Sequence, residues 1–319
     1  MSATATNSTE GVCRTVVSPP RSAYVHVPFC RHRCGYCNFT LVAGRDDLIG
    51  DYLRAIELEL ARLETTREVD TLYFGGGTPT YLAPEQLRRL GEIVLRWHPL
   101  AGGYEWTVEA NPADVDAAMI ATLREMGVTR LSLGGQSFRD DKLRLLERDH
   151  SGRDIGRAVE LARDADMQVA LDLIFAAPGE TIDQWLADID TAIALRPDHV
   201  STYGLTFERG TAFWSRRLRG ELIAADEELE REMYAAVIDR LTAAGFELTT
   251  PRPPELRLGV VVAKAEGPVA QEWHERLYRD HGVIGSNTGG LRLSPNICNT
   301  LADVDRAVAA LTALRSRRS

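Results

Sequence analysis

The sequence predicts an α/β protein in which six β-then-α units form one parallel sheet. Three observations support this fold class: six short apolar or alternating segments recur along the chain, segments of helical periodicity separate them, and polar or glycine-rich motifs follow the strands. Parallel strands joined by helices require right-handed crossovers, and such folds place their sites at the carboxyl ends of the strands. The fold class therefore also predicts where the chemistry lies.

The six predicted strands are followed by segments with the 3.6-residue period of helices. The strands are residues 23–29, 70–76, 104–111, 129–135, 168–175 and 199–205. Apolar helix faces are formed by Leu53, Ile56, Leu60 and Leu63, by Leu87, Leu90, Ile93 and Val94, and by Ile155, Val159 and Ala162. Expected helix-start residues are Pro84, Pro112 and Ser151.

The two ends of the chain differ from this repeating pattern. Residues 1–21 are rich in Ser and Thr and are predicted to be a disordered leader before a core domain of residues 22–248. The Pro-rich stretch 249–255 marks a boundary. Residues 249–319 are expected to form a small α+β appendage of the β-α-β-α type. Its strands are expected within 256–264 and 291–295, and its helices within 266–282 and 300–316.

The bulk composition excludes several classes of protein. A formal net charge of −9 argues against nucleic-acid binding, which usually requires a basic surface. No apolar run is long enough to span a bilayer, and the N-terminus lacks the pattern of a secretory signal. These features predict a cytoplasmic protein. Since disulfides are rare in the reducing cytosol, the clustering of three of the five cysteines favours a metal or redox site.

Three cysteines follow the first predicted strand in a C-x₃-C-x₂-C pattern: Cys30, Cys34 and Cys37. A zinc site usually takes four ligands, and no second cysteine pair is present, so His26 or His32 would have to complete it. An iron–sulfur cluster fits the pattern better, because thiolates are its usual ligands. Three ligands on a four-iron cluster leave one iron open to hold and activate a substrate.

The motifs at the strand ends then narrow the interpretation. They read YVHVPFCRHRCGYCNF, LYFGGGTPT, VEANP, RLSLGGQSF, DLIFAAPGET and HVSTYGLTFERGT, in this order. Together they resemble the radical S-adenosylmethionine (SAM) enzymes and, within them, the oxygen-independent coproporphyrinogen III oxidase family and its HemW-type haem chaperone branch. The resemblance covers residues 22 to about 247. It implies an open (β/α)₆ partial TIM barrel, to which the small α+β appendage is added.

The resemblance also implies roles for individual residues. The three cysteines would bind a [4Fe–4S] cluster, and SAM would chelate its open iron. The residues that match SAM contacts of the family, or accompany the cysteines, are Tyr24, Tyr36, Gly75, Gly76, Gly77, Thr78, Glu109, Gln136, Arg148 and Asp172. The implied partners are SAM, haem or another tetrapyrrole, and an electron donor, with no nucleic acid and no membrane span.

Each of these residues also has an ordinary structural explanation. The three glycines could form only a tight turn, and Asp172 could be a polar residue near a loop. The other candidates could cap a helix (Glu109), satisfy buried backbone groups (Gln136), form a surface ion pair (Arg148) or pack in the core (Tyr24). The histidines His26, His150 and His199 are expected to be structural.

The sequence departs from the family in two places. Asn38 and Phe39 stand where the coproporphyrinogen-oxidising members continue to a further cysteine, which favours the chaperone branch. The chain contains no H-N-x-x-Y segment, the segment linked to haem binding in that branch. Residues 281–311 instead resemble the end of a class V aminotransferase, with Arg292 in an RLSP context. Three functions stay open: a haem chaperone, a coproporphyrinogen III dehydrogenase, or a fused or truncated protein that binds cluster and SAM without catalysis.

Overall fold

The computed structural model describes residues 20–247, the backbone of residues 261–263 and 291–293, and Arg279. The chain divides into two compact units, Met1–Glu247 and Leu248–Ser319. Residues 1–19 and most of residues 248–319 lie outside the described residues, so the predicted leader and the predicted domain boundaries stay predictions.

All six predicted strands are present in one parallel sheet. They are β1 (Ser22–Val27), β4 (Val69–Gly76), β5 (Leu100–Ala110), β6 (Arg130–Gln136), β7 (Gln168–Phe175) and β8 (His199–Gly204). The strands lie side by side in the order β1-β4-β5-β6-β7-β8, which is their order along the chain. With β1 and β8 as unpaired edges among the described strands, the open six-unit α/β barrel is confirmed.

Eight α-helices connect or follow these strands within residues 20–247. They are α1 (Ile49–Leu60), α2 (Pro84–Trp97), α3 (Ala117–Met126), α4 (Asp140–Leu145), α5 (Gly152–Asp164), α6 (Ile182–Leu195), α7 (Ala212–Leu218) and α8 (Glu227–Ala243). Short 3₁₀ turns lie at Asp46–Leu48, Pro79–Tyr81 and Pro112–Asp114.

Two of the three predicted helix starts are confirmed. Pro84 opens α2, and Ser151 caps α5, where Asp154 accepts a hydrogen bond from the Ser151 amide in return. The prediction for Pro112 was wrong, because this residue begins only a 3₁₀ turn. The following helix starts five residues later, since the Asp116 side chain accepts from the Met119 amide at 2.8 Å and forms the actual cap.

The alternation of residues along the strands separates a core face from a site face. On the face that packs against the helices, Phe74 and Trp106 are fully buried, with their rings 5.3 Å apart in an edge-on contact. The intervening residues carry polar groups, among them Tyr73, Glu109 and Asp172, and they face the inside of the curved sheet. Because successive side chains along a strand point to opposite faces, the apolar residues pack between the sheet and its helices, and the polar residues point into the barrel.

In the second unit, the described residues form two short strands. These are β9 (Val261–Ala263) and β10 (Leu291–Leu293), which pair antiparallel and fall within the two predicted strands. Arg292 lies in β10. The helices predicted over 266–282 and 300–316 lie outside the described residues, apart from Arg279.

Candidate functional site

The three predicted cluster ligands lie on one loop that leaves the carboxyl end of β1. This loop begins with the short strand β2 (Phe29–Cys30) and ends with β3 (Val42–Ala43), and the two strands pair in parallel. Cys30 and Cys34 are buried and Cys37 is half-buried, and all three are free thiols. The pairing of the two short strands brings the ends of the loop together and holds the cysteines between them.

Hydrogen bonds from one arginine fix the fold of this loop. The Arg33 guanidinium donates to the backbone carbonyls of Cys37, Phe39 and Leu41, at 3.3, 3.2 and 2.8 Å. Loop carbonyls without a ladder partner need such donors. Sequence reasoning missed Arg33, because a charged residue between two cysteines is typical of an exposed surface.

A glycine in the loop allows close packing of α7, the helix that follows β8. A Cβ atom on Gly35 would lie 2.6 Å from the ring of Phe213 on α7. The Phe213 amide also donates to the Gly35 carbonyl at 2.8 Å. Tyr36, the residue before the third cysteine, meets the same ring edge-on at 6.1 Å between centroids, and burial raises the pKa of its hydroxyl. The cysteine loop is thus held against α7.

Two polar side chains from other loops touch the thiols. The Thr78 hydroxyl lies 3.4 Å from the Cys30 Sγ, and the Arg148 Nη1 donates to the Cys34 Sγ at 3.5 Å. Burial raises the pKa of both thiols, and the positive charge of Arg148 opposes this effect. The thiolate forms therefore need additional positive charge nearby. Within the described residues, no three His, Cys, Asp or Glu side chains are grouped to hold a single metal ion.

Arg148 is not a surface ion-pair residue. Its Nη2 donates to the Gly134 carbonyl at 3.0 Å and to the Asn111 Oδ1 at 3.3 Å, so the guanidinium is held inside the mouth of the barrel. Its Nε is buried and has no hydrogen-bond partner among the described residues. Such an atom marks a place where a further acceptor would be favourable.

Glu109, near the end of β5, accepts two hydrogen bonds and does not cap a helix. The Tyr73 hydroxyl donates to its Oε1 and the Gly76 amide to its Oε2, both at 2.8 Å. Burial raises the pKa of this carboxyl, and the two donors oppose that rise. Tyr73 was missed by sequence reasoning, because a tyrosine within a strand is usually attributed to packing.

The glycines of the GGGTPT motif are required by the packing of the protein itself. A Cβ on Gly77 would lie 2.6 Å from the Phe29 carbonyl oxygen, and one on Gly76 would lie 2.4 Å from the His26 ring. Gly76 also has a φ of 115°, a conformation that other residues rarely adopt. On Gly75, a Cβ would lie 2.9 Å from the Glu109 carboxyl carbon. The three glycines therefore form a tight turn, and other groups of the protein approach their Cα atoms closely.

The remaining polar candidates lie on the neighbouring strands. Gln136 ends β6 with a φ of 64°, and a Cβ on Gly134 would lie 3.0 Å from its Nε2 and 3.6 Å from the Arg148 Nη2. The side chains of Gln136 and Arg148 therefore both lie beside Gly134. Asp172 lies deeper, within β7, where its carboxyl accepts from the Ser132 hydroxyl at 3.3 Å and where burial raises its pKa.

Tyr24 does not pack in the core. Its side chain is 59% exposed and stacks on Tyr73 with the ring centroids 5.9 Å apart. Its hydroxyl donates to the His26 Nδ1 at 3.2 Å, while the His26 Nε2 donates to the Thr40 carbonyl at 2.7 Å. His26 thus supports the rim of the barrel.

The other two histidines lie away from the thiols. The buried ring of His150 lies between the Asn111 side chain and the Gly135 carbonyl, at 3.0 and 2.9 Å. His199 begins β8 and is half-buried. The site therefore joins three thiols, one arginine, one glutamine and the half-buried Glu109 carboxylate near the carboxyl ends of the strands, with the half-buried Asp172 carboxylate deeper in the barrel.

The chain is similar to a known family over more than half of its length. The family model described as the radical SAM superfamily matches residues 24–192. Haem chaperone HemW of Bacillus subtilis is 38% identical over 231 residues, which are 71% of this chain and 61% of that protein. Haem chaperone HemW of Mycobacterium tuberculosis (strain H37Rv) is 42% identical over 235 residues, 71% of this chain and 60% of that protein. The chain thus spans about 60% of the length of these curated relatives.

Among solved structures, coproporphyrinogen III oxidase (HemN) from Escherichia coli superposes with a TM-score of 0.66 at 25% identity. The superposition covers 85% of this chain and 60% of that structure. The archaeal Elp3 from Methanocaldococcus infernus shares only the fold, with a TM-score of 0.52 at 18% identity. Since the family match covers more than half of the residues, the chain belongs to the radical SAM superfamily.

Proposed function

We propose that this protein carries a [4Fe–4S] cluster and SAM at the mouth of its barrel and handles haem as HemW-type proteins do. The single observation that carries the cofactor part is that Arg148 contacts the Cys34 thiol and lies, together with Gln136, beside Gly134. A buried thiol, a guanidinium with an unpartnered Nε and an amide converge there within one loop cluster. No other described part of the chain combines these chemistries.

The residues present fit both groups. Cys30, Cys34 and Cys37 would hold the cluster, because buried thiols become thiolates when bound to positively charged iron. The backbone at Gly76 and Gly77 would lie against the methionyl part of SAM. The side chains that would hold the rest of SAM are Tyr24, Thr78, Glu109, Gln136, Arg148 and Asp172. When bound, cluster and SAM supply the one-electron chemistry of the superfamily, and the protein contributes position and shielding.

The charges of the site match the charges of SAM. Arg148 offers its free Nε to a carboxylate while its Nη1 remains on the Cys34 Sγ. The Glu109 and Asp172 carboxyls are partly buried, and they provide negative charge for the amino and sulfonium groups. Tyr73 and the Gly76 amide fix the Glu109 carboxylate before any ligand arrives, which lowers the cost of ordering it on binding.

Haem is the proposed substrate or cargo because the curated relatives that match 71% of the chain are named haem chaperones. Among the described strands, β1 and β8 are not paired with each other, and we propose that a large planar ligand enters on this side. The cytoplasmic location, the electron donor and the expected absence of nucleic-acid binding stay predictions.

The proposal is tested by anaerobic reconstitution with iron and sulfide, followed by EPR of the reduced protein with and without SAM. A [4Fe–4S]⁺ signal that changes on addition of SAM is expected in the wild type. Cys34→Ser should fail to hold a full cluster, whereas Cys13→Ser, outside the triad, should reconstitute normally. A spectrum indifferent to SAM would refute the SAM site.

Titration with haem then tests the chaperone part separately. A stoichiometric change in the haem absorption spectrum is expected with the wild-type protein. If the cluster forms and responds to SAM while haem does not bind, the cofactor proposal stands and the haem proposal fails. Coproporphyrinogen III, offered under the same conditions, should be left unchanged.

A further inference from the structure

A buried charged cluster lies next to the site without belonging to it. The side chains of Lys142, Glu180 and Asp188 are 3%, 2% and 1% exposed. The Lys142 ammonium is hydrogen-bonded to the Glu180 carboxylate and lies 3.3 Å from the Asp188 Oδ2. Its Nζ also lies 5.2 Å from the centre of the Trp185 ring. Burying three charges is expensive, and a hydrophobic core of the same volume is often at least as stable.

The Asp188 carboxylate anchors the residues that directly follow Gln136. It accepts from the Ser137 hydroxyl at 2.6 Å and from the Phe138 amide at 2.8 Å. The Ser137 amide in turn donates to the Gly135 carbonyl at 2.8 Å, which closes a three-residue turn around Gln136 with its φ of 64°. A γ-turn of this kind is rare and strained, so it persists only where its neighbours are firmly held.

The Glu180 carboxylate similarly anchors the residues that follow the next strand, β7. It accepts from the Ala177 amide at 3.1 Å, and Ala177 directly follows Ala176, which has a φ of 61°. A non-glycine residue with a positive φ thus ends β6 and another directly follows β7, and each is followed by a residue bound to one carboxylate of the cluster. Both carboxylates share the ammonium group of Lys142.

The cluster is also connected to Arg148. Lys142 lies on α4, between Gln136 and Arg148 in the sequence, and the Arg148 amide donates to the Leu143 carbonyl at 2.9 Å. Gln136 and Arg148 also both lie beside Gly134. A displacement of α4 would therefore move both ends of the segment that we assign to SAM.

We propose that Lys142, Glu180 and Asp188 are positioning residues for SAM binding, which act by holding the strained turns at Gln136 and Ala176. The inference rests on the proposed function for its ligand, although the turns themselves are properties of the ligand-free protein. The buried charges are retained because directed hydrogen bonds fix a strained backbone in a way that apolar packing does not.

The test compares three variants of the full-length reconstituted protein. Lys142→Met leaves two carboxylates without their counter-charge, so it should lower the melting temperature and weaken SAM binding by about tenfold or more. Lys142→Met with Glu180→Gln relieves the excess charge and should recover much of the melting temperature without recovering SAM affinity. The matched control is Ile189→Ala, a cavity beside Asp188 on α6 that leaves the cluster intact.

Titration calorimetry with SAM and hydrogen exchange of the ligand-free protein provide the two readouts. In the double variant, the amides of residues 136–148 should exchange faster than in the wild type, while those of Ile189→Ala should not. Wild-type SAM affinity and wild-type exchange in the double variant would overturn the proposal, as would an equal loss of affinity in Ile189→Ala. If the wild type itself does not bind SAM, the proposed function fails, and the exchange data alone decide whether the cluster holds the turns.

Discussion

Replacement of Tyr73 by phenylalanine tests whether the site is arranged before SAM arrives. The change removes one of the two donors to the Glu109 carboxylate and leaves the 2.8 Å bond from the Gly76 amide. A hydrogen bond to a charged group contributes roughly 1.5–3 kcal/mol. Since Glu109 is only half-buried and keeps one donor, the contribution should lie near or just below the lower end of that range, about 1–2 kcal/mol.

At about 1.4 kcal/mol per factor of ten, SAM should bind roughly 5–30 times more weakly to Tyr73→Phe. The pKa of Glu109, already raised by burial, should rise further without this donor, so the loss should be larger at acidic pH. Anaerobic titration calorimetry at two pH values measures both effects. The iron and sulfide content should be unchanged, because Tyr73 does not touch the thiols.

The matched control is Tyr104→Phe. It also removes a hydroxyl, one that donates to the Gly127 carbonyl at 2.9 Å, away from the site. This variant should bind SAM like the wild type. If Tyr73→Phe binds SAM with unchanged affinity at both pH values, Glu109 does not depend on Tyr73, and the reasoning about a preformed carboxylate is wrong.

Two further predictions concern the glycine turn and the half-buried acids. Gly77→Ala would place a Cβ 2.6 Å from the Phe29 carbonyl oxygen and should lower the free energy of unfolding by about 1–3 kcal/mol, as measured by denaturant titration. The control is Gly156→Ala on α5, where a Cβ would enter open space, so this change should be neutral or slightly stabilising. Because burial raises the pKa of Glu109 and Asp172, both acids should be protonated at a higher pH than exposed carboxyls, so SAM affinity should fall as the pH is lowered. Asp172→Asn should bind SAM more weakly at neutral pH and show a flatter pH profile.

The fold was predictable from the sequence because strand and helix periods alternate without interruption. The strand Gln168–Phe175 agrees with its predicted limits, and the other five differ by four residues or fewer at either end. Pro112 was misplaced as a helix start, because the sequence does not show whether a proline opens an α-helix or only a 3₁₀ turn. Here Asn111 accepts from the Ala113 amide and closes the turn, while Asp116 caps the helix.

The candidate site was predictable only where residue type alone indicates chemistry. Cysteines at short spacing and glycines after a strand are such signals. The residues that orient the site could not be identified from the sequence, because their partners are not their neighbours in the chain. Tyr73 has its partner 36 residues away, and Lys142 has one 46 residues away. The carbonyls that Arg33 binds lie up to 8 residues away. A lysine in a helix is normally a solvated surface residue, so nothing in the sequence indicates that Lys142 is buried between two carboxylates.

The glycines of the GGGTPT motif are required by the fold of the protein and, independently, by the proposed ligand. The resemblance explains Gly76 and Gly77 by the close approach of SAM, yet the protein's own His26 ring and Phe29 carbonyl already exclude a Cβ there. Loss of binding in a variant of either glycine would therefore not identify a ligand contact. Thr78 and Asp172 are better probes of that contact, since neither lies at a backbone position that requires glycine. Variants of these side chains therefore test the SAM proposal, whereas variants of the glycines test only the turn.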